Sequence, residues 1–227
     1  MSHINTIFNQ VLQLIPRHQF DALVERHGGD RYSKHFTCWN QLAALLFAQI
    51  RGLDSLRDIV TGLRMQEAKW YHIGLKGIAK STLSDANNRR DWHIFEGLFY
   101  HMLSRCRELS PAHRFKFKNP LYTIDSTTID LCLSVFPWAK FRKTKGALKI
   151  HCLLAHRGCI PSFVVVSEGK RHDVRVAKET DFPLIPDSIV SIDRAYIDFK
   201  YLYSLHSRGV FFVTRAKRNL VFSLTGQ

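Results

Sequence analysis

The chain has 227 residues, 45% of them hydrophobic, enough for one large domain or a small domain joined to a medium one. Thirty-three Lys and Arg stand against 19 Asp and Glu, a formal net charge of +14 with a pI near 9.8. The excess is even: 17 basic against 10 acidic residues in 1–119, and 16 against 9 in 120–227. It therefore belongs to the folded body and not to a tail, which favours a polyanionic partner, most simply nucleic acid. Five cysteines without a CxxC pair, no leader-like start and no run of 18 apolar residues point to a reducing, cytosolic setting without a membrane span.

Residues 1–118 are expected to form a helical domain. Ile4, Ile7, Phe8, Val11, Leu12 and Ile15 keep offsets of three and four, a one-sided stripe that Pro16 closes. Leu42, Leu45, Leu46 and Ile50 mark a second helix. Leu56, Ile59, Val60 and Leu63 mark a third, with Asp54 or Ser55 placed to cap it. Phe95, Leu98, Phe99, Met102, Leu103 and Cys106 mark a longer fourth. The turn Arg51-Gly52-Leu53 allows a helix-turn-helix, and equally a plain bundle with a solvated basic face.

The pattern changes near Pro120, giving a second domain over 119–227. Strands are expected over 121–125, 148–156 and 159–167, the last two joined by Arg157-Gly158. A helix follows His172-Asp173, then come a strand over 189–193, a helix over 196–207 and a strand over 210–214. The overall class is α+β: helices first, then a mixed five-stranded sheet with helices. Two apolar runs end on a carboxylate, Ile124-Asp125 and Ile192-Asp193. The carboxyl ends of strands in such a sheet are where ligands gather, and two aspartates from separate strands can share divalent cations.

Other candidates are weighed on the same terms. Lys140, Arg142, Lys143, Lys145 and Lys149 crowd ten residues without an acid, with Trp138 and Phe141 beside them, a composition suited to phosphates and a stacked base. Arg194 follows the second acid, and Arg215, Lys217 and Arg218 follow the last strand, as further phosphate contacts. His151, Cys152, His156 and Cys159 are zinc-type ligands, but Cys152 alternates with Ile150 and Leu154 on one strand face, so core packing is the expected role. Asp130, Asp173 and His172 are expected to be structural, and Asp198 to face solvent beside Lys200.

In this order, Thr123-Ile124-Asp125-Ser126-Thr127, the stretch LKIHCLLAHRGCIPSFVVVSEGKRHD and Ile192-Asp193-Arg194-Ala195-Tyr196 resemble the insertion sequence 4 family of DDE transposases, with their ribonuclease H-like core. The helical front, including Ser81-Thr82-Leu83-Ser84, is similar to the amino-terminal domain of one branch, so the resemblance spans nearly the whole chain. It implies cleavage of double-stranded DNA at transposon ends and transfer of the 3′-hydroxyl to target DNA. Asp125 and Asp193 would hold two Mg²⁺, with Mn²⁺ as a substitute, about 4 Å apart. It also implies a DNA-binding front domain, a homodimer on DNA and a bacterial, nucleoid-associated location. Two departures stand out. Ala195 replaces a glycine common among relatives, and the third acid, carried there in a Tyr-x2-Arg-x3-Glu-x6-Lys pattern on a later helix, is absent. The core is thus expected to be incomplete at its carboxyl end, and the chain weakly active or inactive alone. The alternative is a non-catalytic DNA-binding remnant or inhibitor of transposition.

Overall fold

Alternating apolar strands and one-sided helices demand partners for their apolar sides, and the computed structural model shows how each is met. It describes residues 6–75, 77–111, 114–131, 140–142, 145–217 and 221. The chain divides into two units, Met1–Met102 and Leu103–Gln227. The sequence break near Pro120 lies past this division, because the second unit takes in the last turns of a long helix. There Arg107 donates to the Ser162 carbonyl at 3.4 Å and Arg157 Nε to the Ser110 carbonyl at 3.2 Å.

The first unit is helical: α1 (Ile7–Gln13), α2 (Arg17–Arg26), α3 (Cys38–Arg51), α4 (Leu56–Arg64), α5 (Trp70–Ile73), α6 (Lys80–Arg89) and the start of α7 (His93–Leu109). Caps set the ends. Thr37 and Asn40 form a reciprocal capping box on α3, and Ser55 Oγ accepts from Asp58 N at α4, the cap expected from sequence. The first helix is shorter than its stripe: it stops at Gln13, since the residue before Pro16 avoids the helical region, and Ile7 is exposed. Leu63, Leu83, Ala43 and Ala44 centre one core, Phe20, Ile94 and Cys38 another. Burial pushes the Cys38 thiol up to about 12, so it is a packing group.

A single side chain organises the loop between α2 and α3. Arg90, 9% exposed, donates to the Gly29, Thr37 and Phe36 carbonyls, to Gln41 Oε1 and Ser33 Oγ, and pairs with Asp30 at 3.3 Å. A buried guanidinium tolerates desolvation only with its donors occupied, and here the loop's carbonyls occupy them.

The second unit is built on β1 (Leu121–Leu131), β2 (Lys140–Arg142), β3 (Lys145–Ala155), β4 (Ile160–Glu168), β5 (Ile189–Ile192) and β6 (Phe211–Thr214), with α8 (Asp173–Glu179) and α9 (Phe199–Ser207). β1 pairs antiparallel with β3, and β3 with β4; β5 lies parallel to β1, and β6 parallel to β5. The five main strands run in the order β4-β3-β1-β5-β6, and the short β2 continues beside the start of β3. The mixed five-stranded sheet is as expected, apart from this extra piece and a β1 that runs six residues past Asp125. Gly169 is fixed by close approach: its N–H donates to the Ala147 carbonyl, and a Cβ there would lie 2.8 Å from that oxygen. No helix among the described residues is long and apolar enough to cross a membrane.

The sheet has two unlike faces. Ile124, Leu153, Val190 and Ile192 point to one side and pack with Ala177 of α8 and Tyr201 and Leu205 of α9. Alternation sends Asp125, Ile129, Val166, Phe211 and Val213 to the other side, where the four apolar residues are 41%, 58%, 57% and 59% exposed.

Candidate active site

Register brings the two aspartates together. In the parallel β1–β5 pair Ile124 is opposite Ile192, so Asp125 follows on β1 and Asp193 is the first residue past the end of β5. Both are exposed. Asp125 Oδ1 accepts from Ser126 N at 2.8 Å. Asp193 follows β5 and caps a 3₁₀ turn over Arg194–Tyr196, accepting from Ala195 N. Buried Tyr196 anchors that turn in the core, and Thr214 Oγ1 at the end of β6 donates to the Asp193 carbonyl at 3.4 Å. The Asp-Arg-Ala-Tyr order thus gives a cap, an outward cation, a small residue and an anchor.

The surrounding titrations follow the sidedness. The Cys152 thiol is raised by burial first and then by the charge of Asp125, its strand partner. Burial raises the Tyr196 hydroxyl most, and the fields of Asp173, Asp125 and Asp193 add to it. On the inner face Asp173, at the start of α8, accepts from Ser126 Oγ at 3.0 Å and pairs with Lys149 Nζ at 3.0 Å. Fully buried His151 places Nε2 2.9 Å from Ser167 Oγ, and burial lowers its proton affinity. The Ser126–Asp173–Lys149 network supports β1 directly beside Asp125.

The predicted cations divide. Arg194, Arg215 and Lys217 are exposed along the edge that carries Asp193. Lys140 and Arg142 lie on β2 and Lys145 opens β3; Asp125 is about 20 Å along β1 from its end at Leu131, where this hairpin begins. Lys149 is different: 17% exposed, it is committed to Asp173 and to the Arg171 carbonyl at 3.1 Å, because its strand position points inward. Lys143 and Arg218, with Trp138, lie outside the described residues.

The remaining acids and thiols are also placed. Asp198 does not stand beside Lys200 in solvent. It caps α9 by accepting from Tyr201 N and pairs with Lys178 at 2.7 Å, which holds its carboxyl below the ordinary range. His172 is exposed at the α8 cap, and Asp130 is exposed on β1. The zinc-type ligands do not converge: His151 is inward, Cys152 outward, and His156 Nε2 meets Thr123 Oγ1 at 2.8 Å. Among the described residues no third carboxylate or imidazole joins Asp125 and Asp193 within 4.8 Å. Two hard-oxygen donors fit part of a divalent-cation shell and leave the rest to other groups.

Comparison with known proteins follows this geometry. Residues 116–225 match the family described as Transposase DDE domain, and residues 3–76 match a domain of unknown function, DUF4372. A "Probable transposase for insertion sequence element IS5377" from Geobacillus stearothermophilus is 24% identical over 220 residues, covering 97% of this chain and 55% of the relative. The chain spans about half the length of that relative.

Proposed function

We propose that this chain is the two-carboxylate portion of an insertion-sequence transposase, acting on double-stranded DNA. The observation that carries the reading is that Asp125 and Asp193 each follow directly on the registered pair Ile124–Ile192 of adjacent parallel strands, inside the stretch that matches a transposase DDE domain. Asp125 and Asp193 would hold Mg²⁺, or Mn²⁺ in its place. Bound there, the metal supplies Lewis-acid stabilisation of a phosphodiester under attack.

The chain's own residues position the DNA. Arg194, Arg215 and Lys217 present cations beside Asp193 to neutralise phosphates, and Lys140 and Arg142 on β2 and Lys145 on β3 add basic residues further along β1. Lys149 acts differently, holding Asp173 and through it Ser126, next to Asp125. The helical unit adds basic surface for the transposon end, and pairing two ends requires two copies of the protein. The core is incomplete for catalysis: two carboxylates leave the metal charge poorly balanced, and among the described residues Ile129, Val166, Phe211 and Val213 of the outer face are exposed. A further segment bearing a carboxylate would cover that face, in keeping with the roughly twofold greater length of the relative.

The test is cleavage of a duplex carrying the element's terminus, in Mg²⁺, by this chain extended with its downstream coding sequence. Expected is a cut at the terminus that falls about a thousandfold or more in Asp125→Ala and in Asp193→Ala. Cleavage unaffected by both substitutions would overturn the reading.

A further inference from the structure

The helical unit contains a ligand cluster that the transposition reading does not use. His27 lies just past the end of α2, while Asp91 and His93 sit at the start of α7, 64 residues further along the chain. His27 Nδ1 is 3.0 Å from Asp91 Oδ2, and His93 Nδ1 is 2.6 Å from Asp91 Oδ1. The three ligand atoms lie within 4.8 Å of one another, the one such group of histidine, cysteine and acidic side chains among the described residues. We propose that His27, Asp91 and His93 bind a single Zn²⁺ ion that staples α2 to α7.

The donor set selects the metal. Two imidazole nitrogens and one carboxylate suit Zn²⁺ and its neighbours Co²⁺ and Ni²⁺, whereas Mg²⁺ demands a shell of oxygens. A tetrahedron with bonds of 2.0–2.1 Å has edges of about 3.3 Å. The two nitrogen-to-carboxylate separations, 3.0 and 2.6 Å, are shorter than that edge, so the side chains must move apart by a few tenths of an ångström to admit the ion. The side chains are 25%, 37% and 49% exposed, which leaves room for water as a fourth ligand.

The cluster is also held ready. The two imidazole rings lie parallel, 5.8 Å apart with 5° between their planes, and Trp92 stacks on His93 at 3.9 Å. Asp91 Oδ1 accepts from His93 N at 3.0 Å, which fixes the carboxylate against the start of α7. Arg90, immediately before Asp91, turns its guanidinium away into the loop after His27, fixing both sides of the cluster without placing its charge between the ligands.

The experiment uses the tag-free 227-residue chain, stripped with chelator and titrated with Co²⁺, then with Zn²⁺ in competition. Expected is one Co²⁺ per chain with the visible d–d band of a four-coordinate site, displaced by Zn²⁺. Affinity should fall at least about tenfold in His27→Gln and in His93→Gln, and be unchanged in His72→Gln. Zn²⁺ should also raise the melting temperature of the parent chain and not that of the double variant. The intense band of four-coordinate Co²⁺, weak in the six-coordinate oxygen shell that Asp125 and Asp193 would supply, separates this site from the acidic pair. X-ray absorption of the Zn²⁺ form, expected to show two imidazole ligands, decides the matter if the variants fold poorly. No stoichiometric uptake by the parent chain, or equal uptake by the double variant, would mean a hydrogen-bonded triad alone and overturn the proposal.

Discussion

The two faces of the one sheet contrast in how far each is finished. The inner face is closed by α8 and α9 over Ile124, Leu153, Val190 and Ile192; Asp173 ties Ser126 to Lys149 there, and buried His151 meets Ser167. The outer face carries Asp125 among exposed Ile129, Val166, Phe211 and Val213. All-parallel sheets are ordinarily buried on both sides, whereas antiparallel ones can leave one side to solvent, and this sheet combines the two pairings. On the proposed function, stability and chemistry fall on opposite faces: the inner one fixes the backbone so that the outer one can present carboxylates.

If that division is right, substitutions should separate cleanly. The largest effect is on catalysis: in the extended protein, Asp125→Ala should remove about a thousandfold or more of DNA-end cleavage while leaving the melting temperature nearly unchanged. Next is Leu153→Ala, which empties a fully buried inner position and should cost about 2–5 kcal/mol in chemical denaturation. Val213→Ala on the outer face should cost less than about 0.5 kcal/mol in the same assay. Equal losses at the two positions would break the comparison.

Smaller effects sharpen it. Lys149→Met leaves Asp173 without its cation and should destabilise by about 1–3 kcal/mol, with little change in DNA affinity at low salt. A large loss of DNA affinity with unchanged stability would return Lys149 to the phosphate-binding set. His151 gives the smallest signal, through pH. Its affinity for protons is lowered in the fold, so the unfolded chain binds more protons as pH falls through the ordinary value of 6.5. The native state therefore loses stability below that pH. His151→Leu should remove this contribution, so the stability difference between parent and variant should shift in the variant's favour between pH 7 and pH 5. A pH-independent difference would show that His151 does not titrate against its burial.

Much of this arrangement was legible in the sequence, for reasons that single residues make plain. Asp125 and Asp193 stood out because each closes an apolar β-type run, and a strand's period of two fixes their side once the register is known. Register itself is a tertiary property, so the pairing of Ile124 with Ile192 had to come from the fold. The extension of β1 past Asp125 escaped notice because Ser126-Thr127-Thr128 breaks the apolar alternation, while antiparallel pairing with β3 sustains the strand. Helices α2 and α6 were missed because they are mostly polar, burying only three and two residues. Lys149 read as part of a basic run, yet its partner lies 24 residues away. The His27, Asp91 and His93 cluster had only an Asp-x-His step as a local sign, with its third member 64 residues upstream.

The central claim is that Asp125 and Asp193 form one oxygen site for a divalent cation on the outer edge. Mn²⁺ binding followed by electron paramagnetic resonance tests it most directly, in a His27→Gln, His93→Gln background that silences the other cluster. The account predicts one weakly bound Mn²⁺ per chain that is lost when either Asp125 or Asp193 is changed to Asn. Mn²⁺ binding that is the same with and without these two carboxylates would contradict it.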